Sequence, residues 1–228
     1  MVEVQPELAR LIGSVEGVSK VFNRGQTPPK FDFYIPMMSL PHVFGTTLKT
    51  IPAKVPYLGP LDPGAVQLPS SLGRIKRVGI SWAGRPTHRN DANRSASFKH
   101  FIEILGLPGL SVYSLQKGGA VADLKEYGCD ALVTDLGERL RDFSDTAAVI
   151  SQLDLVITVD TALAHLAGAM GKPVWVAIPF SPDWRWMRNI ETSPWYPSMR
   201  LFRQKRHGAW AGVFGDIRRA LRDEIAEG

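Results

Sequence analysis

The segment with the most chemical content is VDTALAHLAGA, residues 159–169. An apolar run of strand length ends at Val159, Asp160 and Thr161 follow, and small residues with helical spacing begin there. The free N–H groups and the dipole at the start of such a helix bind anions such as a pyrophosphate. Taken singly, each residue also has a purely structural explanation. Asp160 is a good helix cap, and His165 can be a half-buried imidazole whose hydrogen bonds are made within the protein. We interpret the combination of strand end, carboxylate, slim helix and imidazole as a ligand site.

Two further loops follow predicted strands and carry groups suited to phosphates or bases. Residues 81–95, SWAGRPTHRNDANRS, exceed the usual connection of about 2–6 residues, and guanidinium groups bind phosphate through paired hydrogen bonds. In LQKGG, residues 115–119, Gln116 can pair with a base edge and Lys117 can meet a phosphate. A mobile basic loop and an ordinary turn explain the same two segments without a ligand. The arginines suited to phosphate are Arg85, Arg89 and Arg94.

Other residues near the predicted strand ends are weaker candidates. Trp82 closes the first strand, and Asp142 precedes a predicted helix whose expected N-cap is Ser144 or Asp145, so capping does not account for Asp142. Residues 180–197 are rich in aromatic side chains, which in a loop stack on sugars or bases, or fill a second small core. We expect the core role for two of the three tryptophans. The aromatic residues considered are Trp184, Trp186, Trp195 and Tyr196.

The regular elements that position these residues begin near Arg74. Apolar runs of strand length alternate with helix-period segments, and a run that is apolar on both faces, such as LDLVITV, is typical of a parallel sheet covered by helices. We predict a doubly wound α/β domain, in which ligands bind beyond the carboxyl ends of the strands. The predicted strands are Arg77–Trp82, Ser111–Leu115, Ala131–Thr134, Asp154–Val159, Pro173–Ile178 and Met199–Phe202, and the predicted helices lie near 97–105, 120–127, 145–152, 161–170 and 210–226.

The first 70 residues differ in character. Residues 6–15 read as a short amphipathic helix between the end of one strand and a second strand at 18–22. Nine of the 17 prolines fall within residues 25–70, a density that no long element tolerates. We interpret that stretch as an extended connector with one short helix near Pro41–Gly45. The predicted parts of the chain are residues 1–70, 71–204 and 205–228, the last being a C-terminal helix.

Composition excludes several classes of protein. Of 228 residues, 44% are hydrophobic and 21% charged, which is typical of a globular protein. The single cysteine, Cys129, makes no internal disulfide, and no Cys/His cluster indicates a metal site. No apolar run approaches the roughly 20 residues of a membrane span and no signal peptide is evident, so we expect a cytoplasmic protein, at most peripheral to the inner membrane.

The net charge of +5 fits a solvated basic face as well as it fits anionic partners. Those partners are anionic substrates, a membrane surface or nucleic acid. Nucleic acid is the least favoured, because no nucleic-acid-binding motif accompanies the charge.

Three segments resemble glycosyltransferase family 9, which includes the ADP-heptose:lipopolysaccharide heptosyltransferases. They are DFSDTAAVISQLDLVITVDTALAHLAGAMGKPVW at 142–175, DWRWM at 183–187 and SPWYPSMRLFRQ at 193–204. The likeness is strongest to the glycosyltransferase module at the C-terminal end of bacterial tetratricopeptide-repeat proteins. Residues 31–58 resemble the connector of that module, so the likeness extends over nearly the whole chain.

The resemblance implies a GT-B fold, with a partial N-terminal Rossmann-like domain on the acceptor side and a C-terminal domain that binds a nucleotide sugar without a metal or other cofactor. The family's Asp–(Ser/Thr)–Gly–x–x–His motif falls on Asp160, Thr161, Ala162 and His165. Ala162 replaces the glycine and narrows the room for phosphate. Asp160 and His165 are the implied catalytic residues, Asp160 orienting sugar hydroxyls and His165 contacting phosphate or fixing Asp160. The implied donor-binding residues are Trp82, Arg85, Arg94, Gln116, Lys117, Asp142, Thr161 and Ala162, with the family's basic residue being either Arg85 or Arg94.

The activity implied is transfer of a hexose, heptose or N-acetylhexosamine from a nucleotide sugar to an unidentified glycan, lipid-linked sugar or protein. The family's N-terminal domain begins with a Gly-rich loop that carries an acidic residue, and no GxGD-like stretch occurs here. Asp32 is the one weak substitute for that acid. We therefore expect the donor-binding part of a longer enzyme, able to bind donor without turnover.

Three alternatives stay open from the sequence. The first is a non-catalytic sugar-nucleotide-binding or protein-interaction module left by truncation at the N-terminus. The second is a related enzyme such as a nucleotide-sugar epimerase, and the third is a nucleic-acid binder that uses the basic C-terminal region. Exposed apolar surface on a truncated domain also favours a homodimer over a monomer.

Overall fold

The computed structural model describes residues 1–59, 62, 66–69 and 75–227. Its centre is a six-stranded sheet in which every pair of neighbours is parallel and the strand order is β5-β4-β3-β6-β7-β8. The order reverses between β3 and β6, so their carboxyl ends flank the topological switch point where doubly wound sheets bind ligands. The strands are β3 (Lys76–Ser81), β4 (Leu110–Ser114), β5 (Val133–Asp135), β6 (Leu155–Val159), β7 (Val174–Ile178) and β8 (Met199–Arg203).

Helices cover both faces of this sheet, which confirms the doubly wound α/β prediction. Along β6 the side chains alternate, with Val156 in one core and Leu155 and Ile157 in the other. This alternation follows from the period of two along a strand, and it explains why both faces of the run are apolar apart from Thr158. The helices are α1 (Ala9–Gly13), α2 (Leu40–Val43), α3 (Asp91–Arg94), α4 (Lys99–Leu105), α5 (Asp123–Glu126), α6 (Phe143–Ser151), α7 (Ala162–Ala169) and α8 (Trp210–Glu227).

The two faces have separate cores. Helices α1, α6 and α7 pack with one face, and α4, α5 and α8 pack with the other. Short 3₁₀ turns connect several elements, at Pro6–Leu8, Met37–Ser39, Gly119–Ala122, Gly137–Arg139 and Trp184–Trp186. Among the described residues, no helix combines the length and the apolar character needed to cross a bilayer.

The N-terminal unit is the predicted strand–helix–strand arrangement. Strands β1 (Val2–Val4) and β2 (Val21–Asn23) pair in parallel, with α1 between them. Leu11 is 1% exposed and joins the core under α6. Arg10 of α1 forms ion pairs with Asp142 and Asp145 at the start of α6. These contacts attach the N-terminal unit to the sheet domain.

The connector is pinned to the sheet domain at two places. The backbone N–H groups of Tyr57 and Leu58 both donate to the carbonyl of Ala169, at the end of α7. Further along, Gln152 of α6 bonds to the backbone of Val66 and Leu68. The short helix expected near Pro41–Gly45 is α2, whereas the predicted boundary between residues 70 and 71 lies outside the described residues.

The start of α6 corrects one expectation. The predicted N-cap was Ser144 or Asp145, but the cap is Asp142, whose Oδ1 accepts from the N–H groups of both at 2.9 and 3.0 Å. Asp142 has extended backbone, which lets its short carboxylate fold back onto the first turn. Asp142 therefore has a structural role that sequence reasoning did not assign to it.

Candidate functional site

A cleft of about 600 Å³ opens at the carboxyl ends of β3, β4 and β6. It lies at the switch point of the sheet, where two loops and two helix starts converge. Residues of the N-terminal unit close one side of it. Its lining includes Gln5, Glu7, Leu8, Ala83, Gly84, Arg85, Arg94, Gln116, Lys117, Arg141, Asp142, Phe143, Thr146, Thr161, Ala162 and Leu163.

The start of α7 forms one wall of the cleft. Thr161 is the N-cap, with extended backbone and no side-chain bond to the first turn. Its hydroxyl instead lies 3.2 Å from that of Thr158, at the end of β6. Because no side chain caps the helix, the backbone N–H groups of Ala162 and Leu163 in its first turn are free to bind a negatively charged ligand.

The two arginines that the sequence left as alternatives occupy different environments. Arg94 is largely buried, donates to the carbonyl of Asp160 at 3.1 Å and pairs with Asp91. A Cβ on Gly84 would contact this guanidinium and the Asp91 carboxylate, so a larger residue at this position would displace the Arg94–Asp91 pair. Arg85 is exposed on the cleft wall, and its guanidinium makes no hydrogen bond or ion pair within the described part of the chain. Arg94 thus stabilises the loop and the backbone at Asp160, whereas the guanidinium of Arg85 is free to bind an anion.

Gln116 organises the loops around the cleft. Its Oε1 accepts from the Ser81 hydroxyl and from the N–H groups of Trp82 and Ala83, each at 3.0 Å. Its Nε2 donates to the carbonyls of Ala83 and Lys117. The side chain is 2% exposed, so its hydrogen-bonding capacity is used inside the protein and not on the base edge expected for it.

Lys117 brings positive charge to the cleft, and its ammonium group donates hydrogen bonds to backbone carbonyls. Nζ donates to the carbonyls of Gly137 and Leu140 at 2.8 and 2.7 Å. An ammonium has three donors, so one remains. Asp142 also lines the cleft, with Oδ1 occupied by helix capping and Oδ2 accepting from Arg10 at 2.8 Å.

Trp82 lies away from the cleft. It is 1% exposed in the core between the sheet and α4, with its ring 4.6 Å from that of Phe98. Its indole N–H donates to Asp123 at 2.8 Å. Side chains alternate along a strand, and this position points towards the helix layer.

Asp160 and His165 adjoin the cleft but are not among the residues that line it. Asp160 is half-buried, and its carboxylate has no hydrogen bond or ion pair among the described residues. The ring of His165 stacks on Trp186 at 5.0 Å, and Nδ1 lies 3.2 Å from the Tyr196 hydroxyl. Burial lowers the pKa of His165, and Asp160 opposes this shift, so the ring is neutral at neutral pH.

The aromatic loop after β7 divides as expected. Trp186 is buried and Trp195 packs against the core, with its N–H on the carbonyl of Arg185. Trp184 is 57% exposed, under the guanidinium of Arg185. Trp186 and Trp195 thus belong to the core on the α7 face of the sheet and do not form a second small core, while Trp184 is available to a ligand.

Sequence reasoning missed the contribution of the N-terminal unit to the cleft. Glu7 lines it, is exposed and has no hydrogen bond or ion pair within the described residues, whereas Asp32, the acid named from the sequence, does not line it. Arg141 was also missed. No local signal marks such residues, because contact between the N-terminal unit and α6 spans more than 130 positions.

A second and larger cleft, of about 1010 Å³, lies between β8 and α8 at the outer edge of the sheet. Its lining carries four basic and four acidic side chains, which balance in charge, so it attracts a phosphate less than a site with net positive charge does. The position is also remote from the switch point. The charged residues are Arg200, Arg203, Lys205 and Arg219, and Glu191, Asp216, Asp223 and Glu224. Within the described residues, no group of His, Cys, Asp or Glu is placed to hold a metal ion.

Known proteins with similar sequence or structure include glycosyltransferases and the protein FlbA. A model of glycosyltransferase family 9 (heptosyltransferase) matches residues 96–178. Protein FlbA of Caulobacter vibrioides is 29% identical over 207 residues, which are 86% of this chain and 34% of FlbA. The structure of E. coli ADP-heptose LPS heptosyltransferase II gives a TM-score of 0.50 at 17% identity, over 69% of this chain and 49% of that chain. The C-terminal domain of the glycosyl transferase group 1 family protein LpcC from Francisella tularensis gives 0.41 at 16% identity, over 67% and 76%.

The fold is therefore GT-B-like, as the sequence predicted. The matched family segment includes α6, β6 and α7, and so contains the whole Asp160-to-His165 motif. This match supports a relation to family 9. The chain spans about a third of FlbA and about half of heptosyltransferase II. Association with tetratricopeptide repeats stays a prediction.

Proposed function

We propose that this chain is the donor-binding part of a glycosyltransferase and holds a nucleotide sugar in the switch-point cleft. One observation carries the proposal: the uncapped start of α7 and the free guanidinium of Arg85 face the same space. The start of α7 lies within the segment matched by the family 9 model. Helix N–H groups and an arginine together are suited to a diphosphate.

In this proposal the diphosphate lies across the first turn of α7. Arg85 approaches it from the loop after β3, and the remaining Lys117 donor adds positive charge from the loop after β4. These groups would stabilise the charge that develops on the departing nucleoside diphosphate, which is a principal source of catalysis in such transfers. Gln116 acts indirectly, by holding the two loops in the shape that forms the wall.

The sugar would extend from α7 towards Asp160 and His165. The Asp160 carboxylate has no partner in the described residues, so it is free to accept hydrogen bonds from sugar hydroxyls. Arg94 holds the Asp160 carbonyl and so fixes where that residue begins the turn into α7. The transferred sugar is a hexose, a heptose or an N-acetylhexosamine. Its class and the acceptor are properties of the complete enzyme and not of the donor-binding part alone.

The setting of the enzyme is part of the same proposal. We infer an acceptor-side region in residues 1–70, a donor domain in 71–204 and a C-terminal helix in 205–228. The chain spans about a third of FlbA and about half of heptosyltransferase II, which supports a longer protein. From the sequence resemblance we propose that this protein is bacterial and cytoplasmic or peripheral to the inner membrane, with tetratricopeptide repeats as a companion module. A homodimer formed through exposed apolar surface of the truncated domain is a further proposal.

Calorimetric titration tests the donor site. Purified chain is titrated with ADP, GDP and UDP and with their sugars, for the wild type, Arg85→Ala and Arg89→Ala. Arg89 is a matched control, since it is an exposed arginine of the same loop that does not line the cleft. Loss of a charge-assisted hydrogen bond should raise Kd for one nucleotide series about 10-fold in Arg85→Ala, with Arg89→Ala near the wild type.

Equal effects of the two substitutions would mean that only the overall positive charge of the loop matters, and not a specific contact of Arg85. Absence of saturable binding by any nucleotide up to millimolar concentration would contradict the proposal. Turnover is read separately, from nucleotide release. Binding without release in the presence of candidate acceptors would favour the non-catalytic module over an active transferase.

A further inference from the structure

Trp184 is an exposed indole that the protein nevertheless holds in one place. The guanidinium of Arg185 lies 4.7 Å from the centre of its ring, and the Trp195 ring stands nearly perpendicular to it, at 6.0 Å and 81°. With both contacts in place, Trp184 is still 57% exposed. A single exposed apolar residue is ordinary, but a fixed exposed indole offers ring surface to a ligand without losing side-chain freedom on binding.

Hydrogen bonds fix Arg185, and through it the orientation of Trp184. The backbone N–H and Nη1 of Arg185 both donate to Oδ1 of Asp183, at 3.0 and 2.8 Å. The carbonyl of Arg185 accepts from the indole N–H of Trp195 at 3.0 Å, and Trp195 packs against the core on the α7 face. The 3₁₀ turn that carries Trp184 is therefore anchored to the sheet domain.

This turn lies beside the residues proposed to hold the donor sugar. Trp186, two residues after Trp184, is buried and stacks on His165 of α7 at 5.0 Å. Nδ2 of Asn93 donates to the carbonyl of Ser181 at 2.9 Å, so the loop after β3 and the loop after β7 meet across the end of β6. Trp184 thus stands at the same edge of the sheet as the switch-point cleft, on the β7 side of the start of α7.

The exposed ring is suited to a sugar. The face of an indole carries partial negative charge, and the C–H groups on one face of a pyranose carry partial positive charge, so the two rings stack. A nucleobase also stacks on aromatic rings. In the proposed donor pose, however, the sugar extends from α7 towards Asp160 and His165, while the cleft for the nucleotide lies at the ends of β3 and β4. The next ring on the β7 side of that sugar belongs to the acceptor.

We propose that Trp184 is a stacking platform for a sugar ring of the acceptor, with Arg185 as the residue that positions it. The role as an acceptor site rests on the proposed function, whereas the affinity for a sugar does not. The acceptor is then a glycan or the sugar of a glycolipid, and not an unmodified protein. The connector adds apolar surface beside the platform, since Sδ of Met38 lies 3.9 Å from Nη2 of Arg185 and Met38 is 65% exposed. That surface is suited to a lipid chain linked to the sugar.

Nitrogen-15 NMR of the indole N–H groups tests the platform in the full chain. The probes are the methyl glycosides of glucose, galactose, mannose and N-acetylglucosamine. The Trp184 signal is identified by its loss in Trp184→Phe. At least one glycoside should shift this signal in a saturable way, whereas the signal of Trp82, which is buried in the core on the other face of the sheet, should not move.

The variants Trp184→Ala and Phe180→Ala form a matched pair, and thermal melting shows that both are folded. Phe180 is 53% exposed in the same loop but makes no ring contact among the described residues. Followed at the Trp195 signal, the Kd of the bound glycoside should rise about 10-fold in Trp184→Ala and stay near the wild-type value in Phe180→Ala. Retained affinity in Trp184→Ala, an equal loss in both variants, or no saturable shift by any glycoside up to about 100 mM overturns the proposal.

Two further kinds of probe identify what stacks on the ring. Octyl β-D-glucopyranoside, used below the concentration at which it forms micelles, is compared with the methyl glucoside. Tighter binding that depends on Trp184 supports a lipid-linked acceptor, and equal binding supports a free glycan. A stronger shift of the Trp184 signal with adenosine, guanosine or uridine than with any glycoside assigns the ring to the donor base and contradicts the acceptor site.

Nucleotide binding separates this proposal from the function on which it rests. Trp184→Ala should leave the Kd of the nucleoside diphosphate unchanged, because Trp184 does not line the switch-point cleft. If glycosides bind at Trp184 while no nucleotide binds the wild type, the sugar platform stands and the donor site fails. If nucleotide sugars bind while no glycoside moves the Trp184 signal, the donor site stands and the platform fails.

Discussion

Asp145 should be among the most sensitive positions in the chain for stability. Its side chain has no exposed surface and its carboxylate accepts four hydrogen bonds, three from the backbone N–H, Nε and Nη2 of Arg141 and one from Nη1 of Arg10. Asp145→Asn keeps the size but turns an N–H₂ towards these cations. Removing one partner of a buried ion pair costs about 3–5 kcal/mol.

Both arginines reach solvent, so the cost should be smaller than for a fully buried pair. Arg141 is 73% exposed and Arg10 is 46% exposed, which lets each guanidinium rehydrate. We expect a loss of about 2–3 kcal/mol in the free energy of unfolding, and a fall in Tm of roughly 5–10 °C for a chain of this size.

The dependence on pH gives this prediction its sharpest test. Hydrogen bonds from Arg141 lower the pKa of Asp145 in the folded state, and burial opposes them without reversing the shift. A lowered folded pKa stabilises the protein above the unfolded value of about 4, and that contribution is lost as the pH falls through the folded pKa. The difference between wild type and Asp145→Asn should be full at pH 7 and shrink below about pH 4.

Urea unfolding between pH 7 and 3.5 measures this difference, with the exposed pair at Asp216 as the control. Asp216→Asn should cost about 0–1 kcal/mol. A loss below about 1 kcal/mol for Asp145→Asn, or a gap that persists unchanged at pH 3.5, would refute the account of this ion pair.

Other predictions concern the cleft and its supports. Ala162→Asp puts a carboxylate at the start of α7 and should abolish nucleotide binding in calorimetry, whereas Ala92→Asp, on the exposed turn of the first loop, should leave it within about two-fold. Trp186→Ala should destabilise the fold by about 3–5 kcal/mol in urea unfolding, while Trp184→Ala, at an exposed ring, should cost less than about 0.5 kcal/mol. Arg10→Ala should increase amide exchange of β1 and β2 because it unfastens the N-terminal unit, and unchanged exchange would place that fastening elsewhere.

The strands and the sheet were predictable because burial on both faces leaves a strong local signal. The runs that became β6 and β7 are apolar except at Thr158, and each predicted strand of the six-stranded sheet lies within about two residues of the observed one. Helix ends were less predictable. Asp142, Ser144 and Asp145 are all good caps, and extended backbone at Asp142 decides among them. The helix α3 was missed because DANR is a single polar turn without apolar periodicity.

Side-chain roles in the cleft could be only partly predicted. A sequence shows that Gln116 and Lys117 can bind a ligand, but not that they bind backbone carbonyls instead. The choice between Arg85 and Arg94 depends on how one loop folds over Gly84. Tyr196 and His165 are 31 residues apart, and their contact follows from packing on α7, which no local pattern reveals.

Amide NMR during titration with ADP, GDP or UDP and their sugars tests the central claim most directly. Binding of one series should shift the signals of Ala162, Leu163 and the loop around Arg85 first and most strongly, since their N–H groups are the proposed ligands of the diphosphate. Shifts confined to the second cleft, around Arg200 and Lys205, would place the ligand between β8 and α8 and contradict the switch-point site.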